Sequence, residues 1–129
     1  MQGREAMANF AKARRELTRE KSERVLSSTE GVEGSCFVSH LVKKRLEDGS
    51  MCKKCNDVTA KLKADGLEKL VGGVSIVETT DRESDGVALA EHFEQDRAPF
   101  FLVKNSCDLN AEWKPIYAYG QWKKLVSKH

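Results

Sequence analysis

The alternation of strand-like and helix-like segments is the feature of this sequence that most constrains its fold. Segments rich in β-branched and aromatic residues predict strands at residues 36–46, 73–79, 97–105 and 115–122. Patterns of the helical period predict helices between the first three strands, at residues 52–64 and 83–95. The first two strands, joined through a helix, are expected to run parallel with a right-handed crossover, whereas the last two strands can form an antiparallel pair. The order therefore predicts an α/β domain with a four-stranded mixed sheet covered by helices.

A highly charged segment precedes this alternation. Residues 4–28 contain neither Gly nor Pro, and charged residues make up 33% of the chain, against a typical quarter. The apolar residues of the segment form a broken stripe, which consists of Met7, Phe10, Leu17 and Val25. Because Arg14 and Lys21 interrupt this stripe, we predict a long, mostly exposed helix rather than a coiled coil. We expect it to be an extension, residues 1–30, that mediates docking on a protein partner or self-association, followed by a domain at residues 35–129.

The predicted helix at residues 52–64 begins with two cysteines, Cys52 and Cys55. Small or apolar residues recur along one face of this helix, at Cys55, Val58, Thr59 and Leu62. Ser50 is the expected N-cap, and Gly66 is the residue expected to end the helix in the left-handed conformation. The spacing therefore places Cys55 on the buried face and leaves Cys52 at the start of the helix.

This placement suits a reactive thiol. The first turn of a helix has unpaired N–H groups and a partial positive charge, which stabilise a thiolate. Lys53 and Lys54 add cationic charge beside it and are predicted to activate it electrostatically. An exposed Cys52 thiolate could then attack a disulfide, and Cys55 behind it could resolve the mixed disulfide.

The same segments resemble the thioredoxin/glutaredoxin superfamily over about residues 36–121. The matching residues are Cys52-Lys53-Lys54-Cys55 at the start of the first domain helix and Ala98-Pro99 at the start of the third strand. The resemblance implies a thioredoxin-like fold with an extra N-terminal helix, and a thiol–disulfide oxidoreductase. The motifs that distinguish thioredoxins from glutaredoxins are absent, so the resemblance assigns neither a reductant nor glutathione.

The resemblance also implies a role for each matching residue. Cys52 is expected to be the nucleophile and Cys55 the resolving thiol, acting on a protein or a low-molecular-weight disulfide. A cis peptide bond is expected before Pro99, with the backbone of Ala98 offered to an extended substrate. No dissociable cofactor is expected, because the electrons are stored in the cysteine pair.

Two other functions remain open for the pair. One is a non-catalytic interaction module of the same fold, and the other is metal binding, for which Cys36 and His40 could supply a second ligand pair. If these two residues lie on a strand, their separation of about 13 Å prevents them from sharing one zinc ion. We therefore predict no metal, a hydrogen-bonded sheet histidine at His40, and inert thiols at Cys36 and Cys107.

The charge and hydropathy of the chain bear on partners and compartment. The formal net charge of +2 is too small to indicate nucleic-acid binding. No apolar run approaches the length of a membrane span, and no secretory signal is visible. The sequence therefore predicts a cytoplasmic protein with no nucleic-acid or membrane partner, in which four cysteines are poor evidence for disulfides.

Overall fold

The computed structural model describes residues 2–127, and it describes the side chains of residues 11–127. Its helices are α1 (Gln2–Ser27), α2 (Lys53–Asp65), α3 (Asp85–His92) and α4 (Tyr119–Val126), with a short 3₁₀ turn at Glu68–Leu70. Its strands are β1 (Phe37–Arg45), β2 (Val71–Glu78), β3 (Phe100–Asn105) and β4 (Lys114–Ile116). Within residues 2–127, no helix combines the length and the apolar character that crossing a membrane requires.

The four strands form one mixed sheet in the order β2-β1-β3-β4. β1 and β2 run parallel, because α2 carries the chain back between them. β3 runs antiparallel to β1, and β4 runs antiparallel to β3. The predicted α/β class, the four-stranded mixed sheet and the N-terminal helix are thus confirmed, and the arrangement is consistent with a thioredoxin-like fold.

Apolar side chains fill both faces of this sheet. On one face, α2 and α4 cover a cluster made of Leu41, Val58, Leu62, Phe101, Val103, Trp122 and Val126. On the other face, α1 and α3 cover a cluster made of Leu26, Val42, Leu89, Phe100 and Leu102. Neighbouring residues of β1 and β3 point to opposite faces, so the two central strands contribute to both clusters.

The fourth strand is shorter than the sequence pattern indicates. The alternating aromatic residues predict a strand at residues 115–122, but β4 ends at Ile116 and the chain then forms α4. The helix is favoured because it puts Trp122 and Val126 on one buried face. The Trp122 ring stacks on Phe101 at 4.3 Å between centroids, and its indole N–H donates to Ser39 Oγ at 2.9 Å.

α1 packs through Leu26 and the predicted stripe residue Val25, which lie in and against the apolar cluster, and also through polar contacts with α3. Leu17 is 64% exposed, and Met7 and Phe10 lie outside the residues whose side chains are described. The buried Ser22 hydroxyl donates to the carbonyl of Ala88 at 3.1 Å. The two residues that interrupt the stripe make further contacts. Arg14 forms ion pairs with Glu83 and Glu91. Lys21 donates to the Glu83 carbonyl and lies near Asp85. The predicted division of the chain near residue 30 stays a prediction.

Candidate dithiol site

A tight turn after β1 sets the start of α2. Both the backbone N–H and the hydroxyl of Ser50 donate to Asp48 Oδ1, and Gly49 has a φ of 88°, which glycine adopts without steric cost. The turn directs the chain back along the end of β1, where the Cys52 N–H donates to the Lys44 carbonyl at 3.0 Å. Ser50 is therefore part of the turn, and the N-cap of α2 is Cys52 rather than the predicted Ser50.

The two sulfur atoms of Cys52 and Cys55 lie side by side at this helix start. Their Sγ atoms are 2.7 Å apart, and Cys52 Sγ also accepts the Cys55 N–H at 3.4 Å. Cys52 is partly exposed, whereas Cys55 is only 1% exposed. The predicted asymmetry between an accessible sulfur and a buried one is thus present in the structure.

The surroundings of Cys55 favour its protonated form. Burial, together with the hydrogen bond with Cys52, raises the pKa of the Cys55 thiol to about 11. The Lys44 N–H, 3.2 Å from Cys55 Sγ, and the charge of Lys43 act in the opposite direction. Near neutral pH, Cys55 is therefore a thiol that holds a proton next to the exposed sulfur of Cys52.

The predicted electrostatic activators lie on the first turn of α2. Lys53 and Lys54 are both exposed, and no acidic residue occupies this turn. Their charges add to the partial positive charge of the helix N-terminus beside Cys52. Their role in activation stays a prediction.

The peptide bond between Ala98 and Pro99 is cis, as predicted. Pro99 is buried and directly precedes β3, so the cis bond sets the path of the chain into the sheet. A groove of about 600 Å³ separates this segment from α2, with Lys54 at the end nearer to the cysteines and Lys61 further along the helix. The structure thus places Ala98 and Pro99 across the groove from α2, and the role of these two residues in substrate binding stays a prediction.

Two tyrosines complete this groove, although their sequence pattern predicts packing on the sheet. The Tyr119 hydroxyl donates to Asp65 at 2.6 Å, and burial, aided by this bond, raises the pKa of Tyr119 well above its ordinary value. The Tyr117 hydroxyl accepts the N–H of Arg97 at 3.0 Å and ties the segment before the cis bond to the end of β4. No sequence signal identifies the two residues, since their position depends on where β4 ends.

The other two cysteines form a disulfide, so the prediction of inert thiols at Cys36 and Cys107 is wrong. The backbone N–H and the hydroxyl of Ser106 both donate to the Cys36 carbonyl, which holds the loop after β3 against the start of β1. Disulfides persist mainly in oxidising compartments, so this bond weakens the argument for a cytoplasmic protein, which stays a prediction.

The disulfide lies far from the dithiol. Cys36 precedes β1, whereas Lys44, whose N–H contacts Cys55, lies eight residues further along. At 3.3 Å per residue, this separation is about 26 Å. Cys36 therefore does not belong to the dithiol site and cannot join it as a metal ligand.

His40 is a hydrogen-bonded histidine of the sheet, as predicted. It is 3% exposed, its Nδ1 lies 2.9 Å from Thr29 Oγ1, and its Nε2 lies 2.7 Å from Ser75 Oγ. Both ring nitrogens are thus occupied by hydroxyl groups. Among the side chains that the structure describes, no group of three or more His, Cys, Asp and Glu residues is arranged to hold a metal ion.

The site therefore consists of an exposed and a buried sulfur at a helix start, flanked by two lysines, with a groove along the cis-proline segment. Such an arrangement can exchange a dithiol for a disulfide without a cofactor. Comparisons of this chain with protein-family models, with curated proteins and with solved structures found no match.

Proposed function

We propose that this chain is a thiol–disulfide oxidoreductase of the thioredoxin/glutaredoxin superfamily, which works through Cys52 and Cys55. The observation that carries the proposal is the contact between their sulfurs, 2.7 Å apart at the N-terminus of α2, with one sulfur accessible and the other buried. The cis bond before Pro99 supports it, because the superfamily resemblance places a cis proline beside such a dithiol.

The reaction is a pair of sulfur exchanges. The Cys52 thiolate attacks one sulfur of a client disulfide, and the other client sulfur leaves as a thiolate that takes up a proton. Cys55 then loses its proton and attacks Cys52 Sγ, which forms the Cys52–Cys55 disulfide and releases the second client thiol. Two electrons pass from the pair to the client, and an external dithiol reductant restores the pair.

The raised pKa of Cys55 assigns it to the second step. With a pKa of about 11, Cys55 is protonated near neutral pH and does not compete with Cys52 for the client disulfide. Its proton leaves only when it attacks the mixed disulfide. The burial of Cys55 also keeps the client from reaching the wrong sulfur.

Single-turnover reduction of a disulfide-bridged test peptide by the reduced protein tests the proposal. Cys52→Ser should abolish reduction, whereas Cys55→Ser should accumulate a mixed disulfide between Cys52 and the peptide, visible as added mass without reductant. The double variant Cys36→Ser/Cys107→Ser is the matched control and should retain activity, since that pair is about 26 Å from the site.

Full activity in Cys52→Ser would contradict the proposal. If that variant also keeps every cellular role of the protein, the alternative of a non-catalytic interaction module of the same fold takes its place. The docking or self-association predicted for α1 stays a prediction in both cases.

A further inference from the structure

Four residues of α2 form the wall of the groove that faces the cis-proline segment. They follow the spacing i, i+3, i+4, i+7 and are Lys54, Asp57, Val58 and Lys61. Seven residues of helix correspond to about 10 Å at 1.5 Å per residue, so the two lysines mark the ends of a wall of that length. Arg97 lines the opposite side, next to Ala98.

The cations of this surface have no protein counter-ion among the described side chains. No carboxylate of residues 11–127 lies within 4.0 Å of the charged groups of Lys53, Lys54, Lys61 or Arg97. Some basic side chains elsewhere are paired, as Arg45 is with Glu78 at 2.7 Å. The groove surface therefore offers positive charge that the chain itself does not neutralise.

The acidic residues of the groove offset this charge only in part. Asp57 lies between the two lysines, and Asp96 accepts a hydrogen bond from the Tyr117 hydroxyl at 3.4 Å. Three groove cations, Lys54, Lys61 and Arg97, thus face two carboxylates, and Lys53, next to Lys54 on the first turn of α2, adds a fourth positive charge. The balance next to the exposed sulfur is positive.

We propose that the groove selects client disulfides that lie in an extended, acidic peptide segment; this inference rests on the proposed redox function. Two lysines about 10 Å apart are spanned by about three residues of an extended peptide. With the client sulfur at Cys52, beyond the Lys54 end of the groove, acidic residues on the flank of the client cysteine that lies in the groove meet both lysines. The charges steer the encounter and raise its rate, while the chemistry at Cys52 is unchanged.

Two disulfide-bridged peptides that differ only in their flanking residues, three Glu in one and three Lys in the other, test the inference. With dithiothreitol as reductant, we expect kcat/KM to be about ten-fold higher for the acidic peptide at low ionic strength, from several pair interactions of modest strength. The ratio should fall towards about two-fold in 0.5 M NaCl, because salt screens exposed charges. Lys54→Gln/Lys61→Gln should remove most of the preference, and the exposed pair Lys12→Gln/Lys69→Gln, outside the groove, should retain it.

Each outcome bears on one of the two claims. Equal rates for both peptides, or faster reduction of the basic one, would overturn the inference and leave the redox function intact. Reduction of neither peptide would overturn the redox function together with the inference. Reduction of oxidised glutathione, a small anionic disulfide, as fast as the acidic peptide would show that the groove takes a small anion and would overturn the peptide assignment.

Discussion

The buried histidine of β1 makes folding stability depend on pH. Burial lowers the pKa of His40 to about 4 from an ordinary value of 6.5, and the nearby Asp85 acts weakly in the opposite direction. Asp85 of α3 and the cations Lys21 and Arg24 of α1 line the cavity beside it. The ring packs directly against β2, where a Cβ added at Gly73 would lie 2.6 Å from Nδ1.

The sign and size of the effect follow from these two pKa values. Between pH 6.5 and about 4 the unfolded chain binds a proton at this histidine and the folded chain does not, so stability falls as pH falls. Each pH unit in this window costs about 1.4 kcal/mol. From pH 7.5 to 5.0 we therefore expect a loss of about 2 kcal/mol. The carboxyl groups whose pKa values are lowered, such as those of Asp48 and Asp65, lose their contributions only below about pH 4.

Urea unfolding at the two pH values, without reductant, measures this loss. His40→Gln cannot take up the proton, so its stability should change much less between pH 7.5 and 5.0, whatever its absolute stability. His92→Gln, at an exposed position on α3, is the control and should keep the pH dependence of the unsubstituted protein. If His40→Gln does not fold, the ring resonances of His40 in the unsubstituted protein provide the second measurement.

Two results would refute this reasoning. One is a loss of stability in the unsubstituted protein below about 0.5 kcal/mol, well under the calculated value. The other is a His40 ring that titrates near its ordinary value in the folded protein. Either result would mean that the folded chain accepts a proton at this site without the cost of burial.

Three further substitutions can be followed by urea unfolding. Gly86→Ala would place a Cβ 2.2 Å from the backbone of β2 and should cost roughly 1–3 kcal/mol, whereas Gly120→Ala, with no atom nearby, should cost little; equal effects would contradict the packing argument. Trp122→Phe removes the indole N–H that donates to the buried Ser39 hydroxyl on β1, and should lower the free energy of unfolding by about 1–3 kcal/mol. No change in stability would mean that water bonds to Ser39 in place of the indole. Cys36→Ser/Cys107→Ser removes the disulfide between residues 71 apart. It should lower the free energy of unfolding by about 4 kcal/mol, because the unfolded chain gains the entropy of the opened loop, and an unchanged urea midpoint would contradict this.

Features that depend on local periodicity could be predicted from the sequence. The face of α2 that carries Cys55, Val58 and Leu62 is buried as its spacing predicts, because a helix repeats its side-chain directions every three to four residues. Gly66 ends this helix with a φ of 67°, as expected for a residue without a side chain. The cis bond before Pro99 followed from the family resemblance rather than from local periodicity.

Features that depend on distant residues could not be predicted in this way. Aromatic residues alternate between residues 115 and 122 as in a strand, but the cavity that Trp122 fills is formed by residues of β1 and β3. Cysteine spacing does not specify which pairs form, so the bond between Cys36 and Cys107 has no local signal. The docking of α1 combines apolar contacts of Val25 and Leu26 with hydroxyl and ionic contacts to α3, and an apolar stripe does not reveal the polar ones.

The two cysteine pairs lie at opposite ends of β1, so the bond between Cys36 and Cys107 is separated from the sulfurs of Cys52 and Cys55. Thiol–disulfide exchange requires contact between sulfur atoms. Because about 26 Å of strand separates the two pairs in the folded chain, they cannot exchange disulfides within one molecule. In the proposed reaction the Cys52–Cys55 pair changes oxidation state, and the Cys36–Cys107 disulfide takes no part. Shuffling of the four sulfurs into wrong pairs is thereby restricted to the unfolded chain and to encounters between molecules.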